Sequence, residues 1–399
     1  MLALNDSKML FGIDRLFSFI LKSIINFLLK LLLIFEPLEM KLQRTESVLL
    51  KSSRRFYEEK FITVEDVSIR TVIFNPGVPN RPPLVLLHGL NSGLCSFLQN
   101  VRRLSRNCTV YVIDLPGFAR STRPRMDKSV DEIEANYVRW LDLWRQNLAI
   151  EKYFLLGHDF GGYIATLYSL KYPWRVCRLT LYEPWGFPIL PFGMTDRNLN
   201  KKATKNCNQF LPKWIITTDK AFHFVQYFNF VFKIVCFWCR QLCNVYGLFR
   251  HPCQFIQDLN KKKDPWVFYK TLCENAQKSS GKNAYSKLSV LNTWARDPLI
   301  RRIHCLDDKL SLTFIFGSKS WFDHRSAYEV KCSRTQQDTV NIHIIDGEGH
   351  IPIHQESPRE FEYIVLQELC TYEDDQDEGW IEDDWISHDY SEDETFNII

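Results

Sequence analysis

Nowhere in its 399 residues does the chain hold an uninterrupted apolar run of the ~20 residues that a bilayer-crossing helix requires. It also lacks a cleavable secretory signal: the first apolar stretch follows an acidic residue, Asp14, has no small-residue cleavage site and runs on too long. The twelve cysteines show no framework of the kind that staples small secreted domains. These absences argue for reduced thiols in a cytosol-facing protein. Cys236, Cys239 and Cys243, with Cys253 beyond them, come closest to a cluster. No partner at finger spacing completes a zinc site, and the surrounding FVFKIVCFWCRQLC favours buried or lipid-facing thiols. No metal and no cofactor is expected. Lysine and arginine are missing between Glu373 and Glu394, where twelve Asp and Glu stand. Without that tail, fifty basic residues face thirty-five acidic ones, and a basic body suits an anionic surface such as lipid headgroups or nucleic acid. No nucleic-acid motif accompanies the charge, so nucleic acid is not expected as a partner. The tail either competes for that basic surface or is a solvated, disordered end.

The most apolar stretch is residues 10–35, LFGIDRLFSFILKSIINFLLKLLLIF. On a helix, Asp14, Arg15, Ser18, Lys22, Ser23, Asn26 and Lys30 fall within about half the circumference. Leu16, Phe17, Ile20, Leu21, Ile24, Phe27, Leu28 and Leu31 fill the other half. Lys22 and Lys30 interrupt a crossing, so a helix lying in a membrane interface fits best. The alternatives are a helix packed on the protein's own body and a true crossing.

Residues 61–74 (FITVEDVSIRTVIF) read as an antiparallel hairpin turning near Glu65-Asp66. Residues 84–88 (LVLLH) and 109–115 (TVYVIDL) are continuous apolar runs, as expected of strands buried on both faces of a parallel sheet. Residues 131–148 have helical periodicity. Residues 152–158 (KYFLLGH) lead into Gly157-His158-Asp159-Phe160-Gly161, and a helix-like pattern over 161–171 ends before Pro173. Later strands are expected at 178–182, 312–316 and 340–345, and a closing helix at 358–370. Strand and helix alternate over 84–182 and resume after about 311; the interval 189–291 lacks that alternation. The chain therefore predicts an α/β architecture, a doubly wound and mostly parallel sheet with an inserted apolar helical cap.

Gly-x-Asp-x-Gly between an apolar strand and a helix is the nucleophile elbow of the α/β-hydrolase fold, a strained turn whose neighbours must be small. Here it carries aspartate where an ester hydrolase carries serine. The loop after His88-Gly89 would supply one oxyanion-hole N–H, from Leu90 (or Asn91), and Phe160 the other; His88 itself reads as structural. The remaining triad members follow in the order acid, then histidine. Asp323, beyond the late strand in FIFGSKSWFD, and His350, in DGEGH, fit that order. Asp114 precedes the elbow and Asp346 lies too near the histidine. His354 competes with His350, but is expected on an exposed helix lead-in.

VLLHGLNSG, VIDLPGFARSTRP, LLGHDFGG, YSLKYPWRV, TWARDPLIRRI, FGSKSWFD, GEGH and above all EPWGFP together resemble the abhydrolase-domain four and five proteins of lipid metabolism. The resemblance covers residues 82–188 and 292–369. One branch of that subfamily keeps serine at the elbow and is a phospholipid lipase. The other has lost it, sits on lipid droplets and activates a separate triglyceride lipase without hydrolysing lipid itself. By this resemblance the partners are a lipid-droplet or membrane surface and a triglyceride lipase. Lys319 and Gly349 occupy loop positions tied to lipase activation, the former replacing arginine. Lysophosphatidate acyltransferase activity has also been attributed to that branch, through a histidine followed five residues later by aspartate. His350 is followed at that distance by Gln355, so the motif is incomplete.

A carboxylate attacking an ester carbonyl would form a mixed anhydride, a poor intermediate, so covalent ester hydrolysis at Asp159 is not expected. A carboxylate can displace at an alkyl carbon, as in epoxide hydrolases and haloalkane dehalogenases of this fold, with His350 activating water. Those enzymes carry proline shortly after His-Gly and tryptophan after the aspartate, where Asn91 and Phe160 stand here. Tyr227, Tyr246 and Tyr269 are the cap tyrosines available to protonate an epoxide. Residues 222–249 (FHFVQYFNFVFKIVCFWCRQLCNVYGLF) make the cap strongly apolar, suited to acyl chains, to a lipid surface or to packing on the body alone. Lys201, Lys202, Lys205 and Lys261–Lys263 flank it as candidate headgroup contacts.

The expected organisation is an amphipathic segment (1–45), a first core part (46–188), the cap (189–291), a second core part (292–371) and an acidic tail (372–399). The expected function is that of a lipid-metabolism regulator without serine esterase chemistry, coactivating a triglyceride lipase. Its expected place is cytoplasmic and peripheral on lipid droplets or membranes, with endoplasmic reticulum and mitochondrion both open. An Asp-nucleophile hydrolase and an acyltransferase or carboxylic ester hydrolase are the alternatives.

Overall fold

The computed structural model describes residues 38–53, 55–78, 81–106, 108–190, 269, 273, 280–290, 293–320, 322–347 and 353–374. The amphipathic segment 10–35, most of the expected cap with its flanking lysines and four clustered cysteines, Tyr227, Tyr246, Gly349, His350 and the tail beyond Asp374 lie outside them.

Helix α1 (Leu38–Ser52) leads into the hairpin β1 (Tyr57–Val64) and β2 (Val67–Phe74). Then come β3 (Leu84–Leu87), α2 (Leu98–Leu104), β4 (Val110–Ile113), α3 (Val130–Asn147), β5 (Tyr153–His158), α4 (Phe160–Lys171) and β6 (Val176–Tyr182). After the cap interval follow α5 (Ser280–Leu288), β7 (Ser311–Gly317), α6 (Arg325–Ser333), β8 (Val340–Ile345), α7 (Ile353–Glu356) and α8 (Pro358–Asp374). The eight-stranded sheet has the order β1-β2-β4-β3-β5-β6-β7-β8. β2 runs antiparallel to β1 and β4, and every other pairing is parallel.

Alternation along the strands divides the core between two faces. In β3, Val85 and Leu87 join α3, α4 and α6 through Tyr137, Trp144, Ile164, Tyr168 and Val330. Leu84 and Leu86 join α1, α2 and α8 through Leu42, Leu49, Val101, Phe361 and Val365. All four β3 residues are buried, as the LVLL run requires. Ser129 starts α3 with a reciprocal capping box to Glu132. The turn of the first hairpin falls at Glu65, whose φ is 53°. The first half of β1, YEEK, has a charged and partly exposed pattern, which hid it from an apolar-run reading.

Helix α1 crosses the boundary expected at residue 45. Leu42, Glu46, Leu49 and Leu50, at helical spacing, are all buried, so this helix is packed onto the sheet. Glu46 meets the wholly buried Arg70, which also pairs with Glu59 at 2.7 Å and Asp114 at 3.2 Å. Arg120 joins at Glu59, 3.0 Å away. Three carboxylates thus share two guanidiniums, and one proton would balance the group. Glu46 Oε2 lies 2.8 Å from Arg70 Nη1, yet neither Glu46 oxygen is aligned to accept a hydrogen bond. Burial, opposed by Arg70, pushes the Glu46 carboxyl from 4.5 up to about 8. The folded chain therefore keeps this proton over an interval in which the unfolded chain has lost it. Stability falls as pH rises from about 4.5 to about 8, by at most about 1.4 kcal/mol per pH unit from this group. Glu46→Gln is expected to remove that slope in urea titrations run from pH 5 to 9; an unchanged slope would place the proton elsewhere.

Candidate functional site

At the end of β5 the chain turns sharply into α4, and Asp159 takes φ 50°, ψ −114°. For a residue with a Cβ this conformation costs about 1–3 kcal/mol and persists only where its surroundings hold it. They do so through the backbone. Asp159 N–H donates to Tyr182 O at 3.1 Å, while Asp159 O accepts from Tyr163 N–H at 3.2 Å and Trp185 N–H at 3.1 Å. The glycines on either side are required by close approach: a Cβ on Gly157 would lie 2.6 Å from Gly162 Cα, and one on Gly161 would lie 2.6 Å from His88 O.

The side chain of Asp159 points to the oxyanion loop. Leu90 N–H donates to Asp159 Oδ2 at 2.8 Å. A Cβ on Gly89 would sit 3.0 Å from that same oxygen, so glycine is needed for the carboxylate to come so near. His88 fixes the loop from beneath. Its Nε2 accepts from Leu115 N–H at 2.9 Å, and its Nδ1–H donates to Gly89 O at 2.8 Å, the tautomer following from these two partners. Burial depresses the His88 pKa, which keeps the ring neutral and able to accept. Phe160 opens α4, and its amide belongs to a first turn that has no intrahelical acceptors. Its ring packs on Phe118, Tyr137, Trp185 and Tyr285. The loop amide expected to bind an oxyanion therefore binds the elbow's own carboxylate.

EPWGFP forms the other wall. Glu183 takes φ 43°, and its N–H donates to Ile315 O at 2.9 Å. Its buried carboxyl accepts from Gly317 N–H at 3.1 Å, and burial raises its pKa. Pro184 lies against Gly162, Trp185 ties its backbone to Asp159 and its indole Nε1–H to Thr293 O at 2.6 Å, and Gly186 at φ 89° passes over Tyr163. Leu299 N–H donates to Gly186 O at 2.8 Å, joining this wall to TWARDPLIRRI. Arg302 of that string pairs with Glu134 at 2.7 Å and stacks over Tyr163.

Asp323 is about a third exposed (side chain 36 %), and both its oxygens engage Arg325, the closest contact being 2.7 Å. Arg325 holds its pKa low. His350, the histidine that Asp323 was expected to orient, lies outside the described residues. Lys319 is exposed on the loop after β7. His354 corrects the expectation of an exposed lead-in: it is wholly buried, its Nε2 lies 3.0 Å from Ser96 O, and its ring meets those of His158 and Tyr182. Burial drives its pKa down to about 4, so it is neutral. Tyr269 hydrogen-bonds Cys95 N–H in the core at 3.3 Å. Tyr285, unmarked in the sequence, is the tyrosine close enough to Asp159 for that charge to add to the effect of burial in raising its pKa. Glu183 was likewise missed, although its place in EPWGFP was a signal. Among the described residues no group of three His, Cys, Asp or Glu could hold a metal, and no helix is long and apolar enough to cross a membrane.

Residues 82–215 match the family model for the alpha/beta hydrolase fold. The rat protein named 1-acylglycerol-3-phosphate O-acyltransferase ABHD5 is 32% identical over 339 residues, covering 82% of this chain and 89% of its own. The human (lyso)-N-acylphosphatidylethanolamine lipase is 28% identical over 336 residues, covering 83% and 91%. Among solved structures, a bacterial membrane phospholipase A superposes with a TM-score of 0.58 at 17% identity, covering 89% of this chain and 99% of that one, a likeness of fold alone. The strand order, the elbow, the EPWGFP wall and these relatives agree: the chain belongs to the α/β-hydrolase family, in the branch that holds ABHD5 and the (lyso)-N-acylphosphatidylethanolamine lipase.

Proposed function

We propose that this protein regulates lipid metabolism without serine esterase chemistry, acting at a lipid-droplet or membrane surface as coactivator of a triglyceride lipase. The observation that carries this reading is the hydrogen bond from Leu90 N–H to the Asp159 carboxylate. An acyl-enzyme needs a hydroxyl at the elbow and an open donor for the developing oxyanion. Here the hydroxyl is replaced and the donor is engaged. The surrounding wall is nevertheless fully built, which suits a fold kept for binding. Lys319, exposed on the loop after β7, and Gly349 are the lipase contacts of this reading, and the apolar segment 10–35 is its surface anchor.

Added to its cognate triglyceride lipase on emulsified triolein, the purified protein is expected to raise fatty-acid release several-fold, with Lys319→Ala losing most of that rise. No rise with the wild type would remove the coactivator role.

A second reading has its own observation. Asp159 stands at the elbow apex, and burial together with the Asp159 charge keeps the Tyr285 phenol protonated, which makes the two candidates for nucleophile and proton donor in opening a fatty epoxide. It predicts epoxide turnover abolished by Asp159→Asn. The acyltransferase reading is weakened, since the motif attributed to that branch is incomplete here: Gln355 stands at its aspartate position and donates to Ser96 O at 3.2 Å.

A further inference from the structure

At the end of the sheet away from Asp159, arginines gather around the C-terminus of α2. Arg55, just after α1, donates from Nη2 to Arg102 O at 2.9 Å, which brings its guanidinium beside those of Arg102 and Arg106. Burial lowers the Arg55 pKa, and the like charges of Arg106 and Arg102 lower it further, so the three cations repel one another. Arg103 reaches Glu362 at 3.5 Å, and Arg106 and Arg359 lie within range of that same carboxyl. Glu362 stands among Arg103, Arg106 and Arg359, and burial pushes its carboxyl up to about 7, so it neutralises them weakly. Among the described residues neither Arg55 nor Arg102 has an ion-pair partner. Basic residues at a helix C-terminus favour the helix dipole, which accounts for Arg102 and Arg103 but not for the approach of Arg55.

Large apolar side chains are exposed next to Arg55 in the chain and along the helix that precedes it. Phe56 is 73% exposed, and Met40 and Val48 on the outer face of α1 are 54% and 61% exposed. Arg44 and Lys51 share that outer face at helical spacing. Apolar side chains interleaved with cations fit an anionic interface: the cations meet phosphates and the apolar groups enter the headgroup layer.

We propose that the face formed by the outer side of α1, Phe56, Arg55, Arg102 and Arg106 docks on the phosphates of an anionic lipid leaflet. This deepens the membrane-surface reading above, resting on it for location and adding a lipid preference with named residues.

The test is flotation of the full-length protein with neutral phosphatidylcholine vesicles and with vesicles holding 30% phosphatidic acid, at 50 and 300 mM salt. The wild type is expected to bind the anionic vesicles about a hundredfold more tightly at low salt, since each arginine at such a surface contributes roughly a fivefold factor. Combined Arg55→Gln, Arg102→Gln and Arg106→Gln abolishes the preference and leaves binding to neutral vesicles intact, while the three lysine replacements retain it. Circular dichroism of both triple variants shows that the fold survives. Equal wild-type binding to both vesicles, or a preference that persists in the glutamine variant, overturns the proposal while leaving membrane association standing. Wild type bound to neither overturns both. Binding to a peptide of residues 375–399 in place of vesicles would assign the face to the acidic tail and overturn the lipid assignment. Competition by millimolar inorganic phosphate would show a soluble-anion site, with the same consequence.

Discussion

Asp159→Ser is expected to raise hydrolysis of a medium-chain p-nitrophenyl ester at least ~100-fold above a wild type that stays at background. Serine restores a hydroxyl at a position whose backbone is already held by Tyr182, Tyr163 and Trp185, so no local rearrangement is needed. Its shorter side chain also releases Leu90 N–H from the 2.8 Å bond to Oδ2. One oxyanion donor contributes about 10²–10³ in rate, and it is this donor that the wild type withholds. Asp159→Asn separates the two effects: its amide oxygen can still accept from Leu90, so the variant stays inactive on esters. Asp159→Gly opens the hole without supplying a nucleophile and is inactive too. If Asp159→Ser is no better than wild type while its fold is intact, the acid and histidine of a working triad are not assembled around the elbow.

Arg70→Met carries the second large effect, and it is one of stability. Arg70 is wholly buried and answers Glu46, Glu59 and Asp114. Removing one partner from a buried ionic group costs about 3–5 kcal/mol, because the charges left behind have neither water nor a counter-ion. For a domain of this size the expected fall in Tm is roughly 10 °C. Adding Glu46→Gln should restore part of it, since one buried carboxyl then no longer needs a proton. The same arginine bears on the site. Asp114 accepts Leu94 N–H at 2.7 Å and Arg120 N–H at 3.2 Å, which fixes the loop that carries Leu90. In an Asp159→Ser background, Arg70→Met is therefore expected to lose most of the gained ester turnover at temperatures where the fold persists. A variant with wild-type Tm would show that this network is neutral to stability.

The parts of the site that were legible in the sequence are those in which local spacing encodes the geometry. Gly157, Gly161 and Gly162 after an apolar strand can hardly mean anything but a tight strand-to-helix passage, and Leu90 follows from its place after His88-Gly89. EPWGFP was recognisable as a string, but its purpose was not, because Trp185 acts on Asp159 and Glu183 acts on Gly317, across strands. His354 was misread for the same reason. Its neighbours are Ser96, His158, Tyr182 and Phe361, and only the assembled fold brings them around it. Asp323 was read from the order acid-then-histidine, and that order does not reveal its ion pair with Arg325, two residues on. Helix α1 was obscured by the stronger apolar signal just before it, and its buried Glu46 reads as a solvated charge until Arg70 is seen beneath it.

With aspartate at its apex and Leu90 N–H engaged, the wild-type elbow cannot form an acyl- or phosphonyl-enzyme. Intact-mass measurement after incubation with an alkyl fluorophosphonate tests it most directly. The predicted result is no adduct on the wild type and one equivalent on Asp159→Ser, mapped to residue 159. A stoichiometric adduct on the wild type would contradict the account, because some other side chain would then be attacking with a working oxyanion hole.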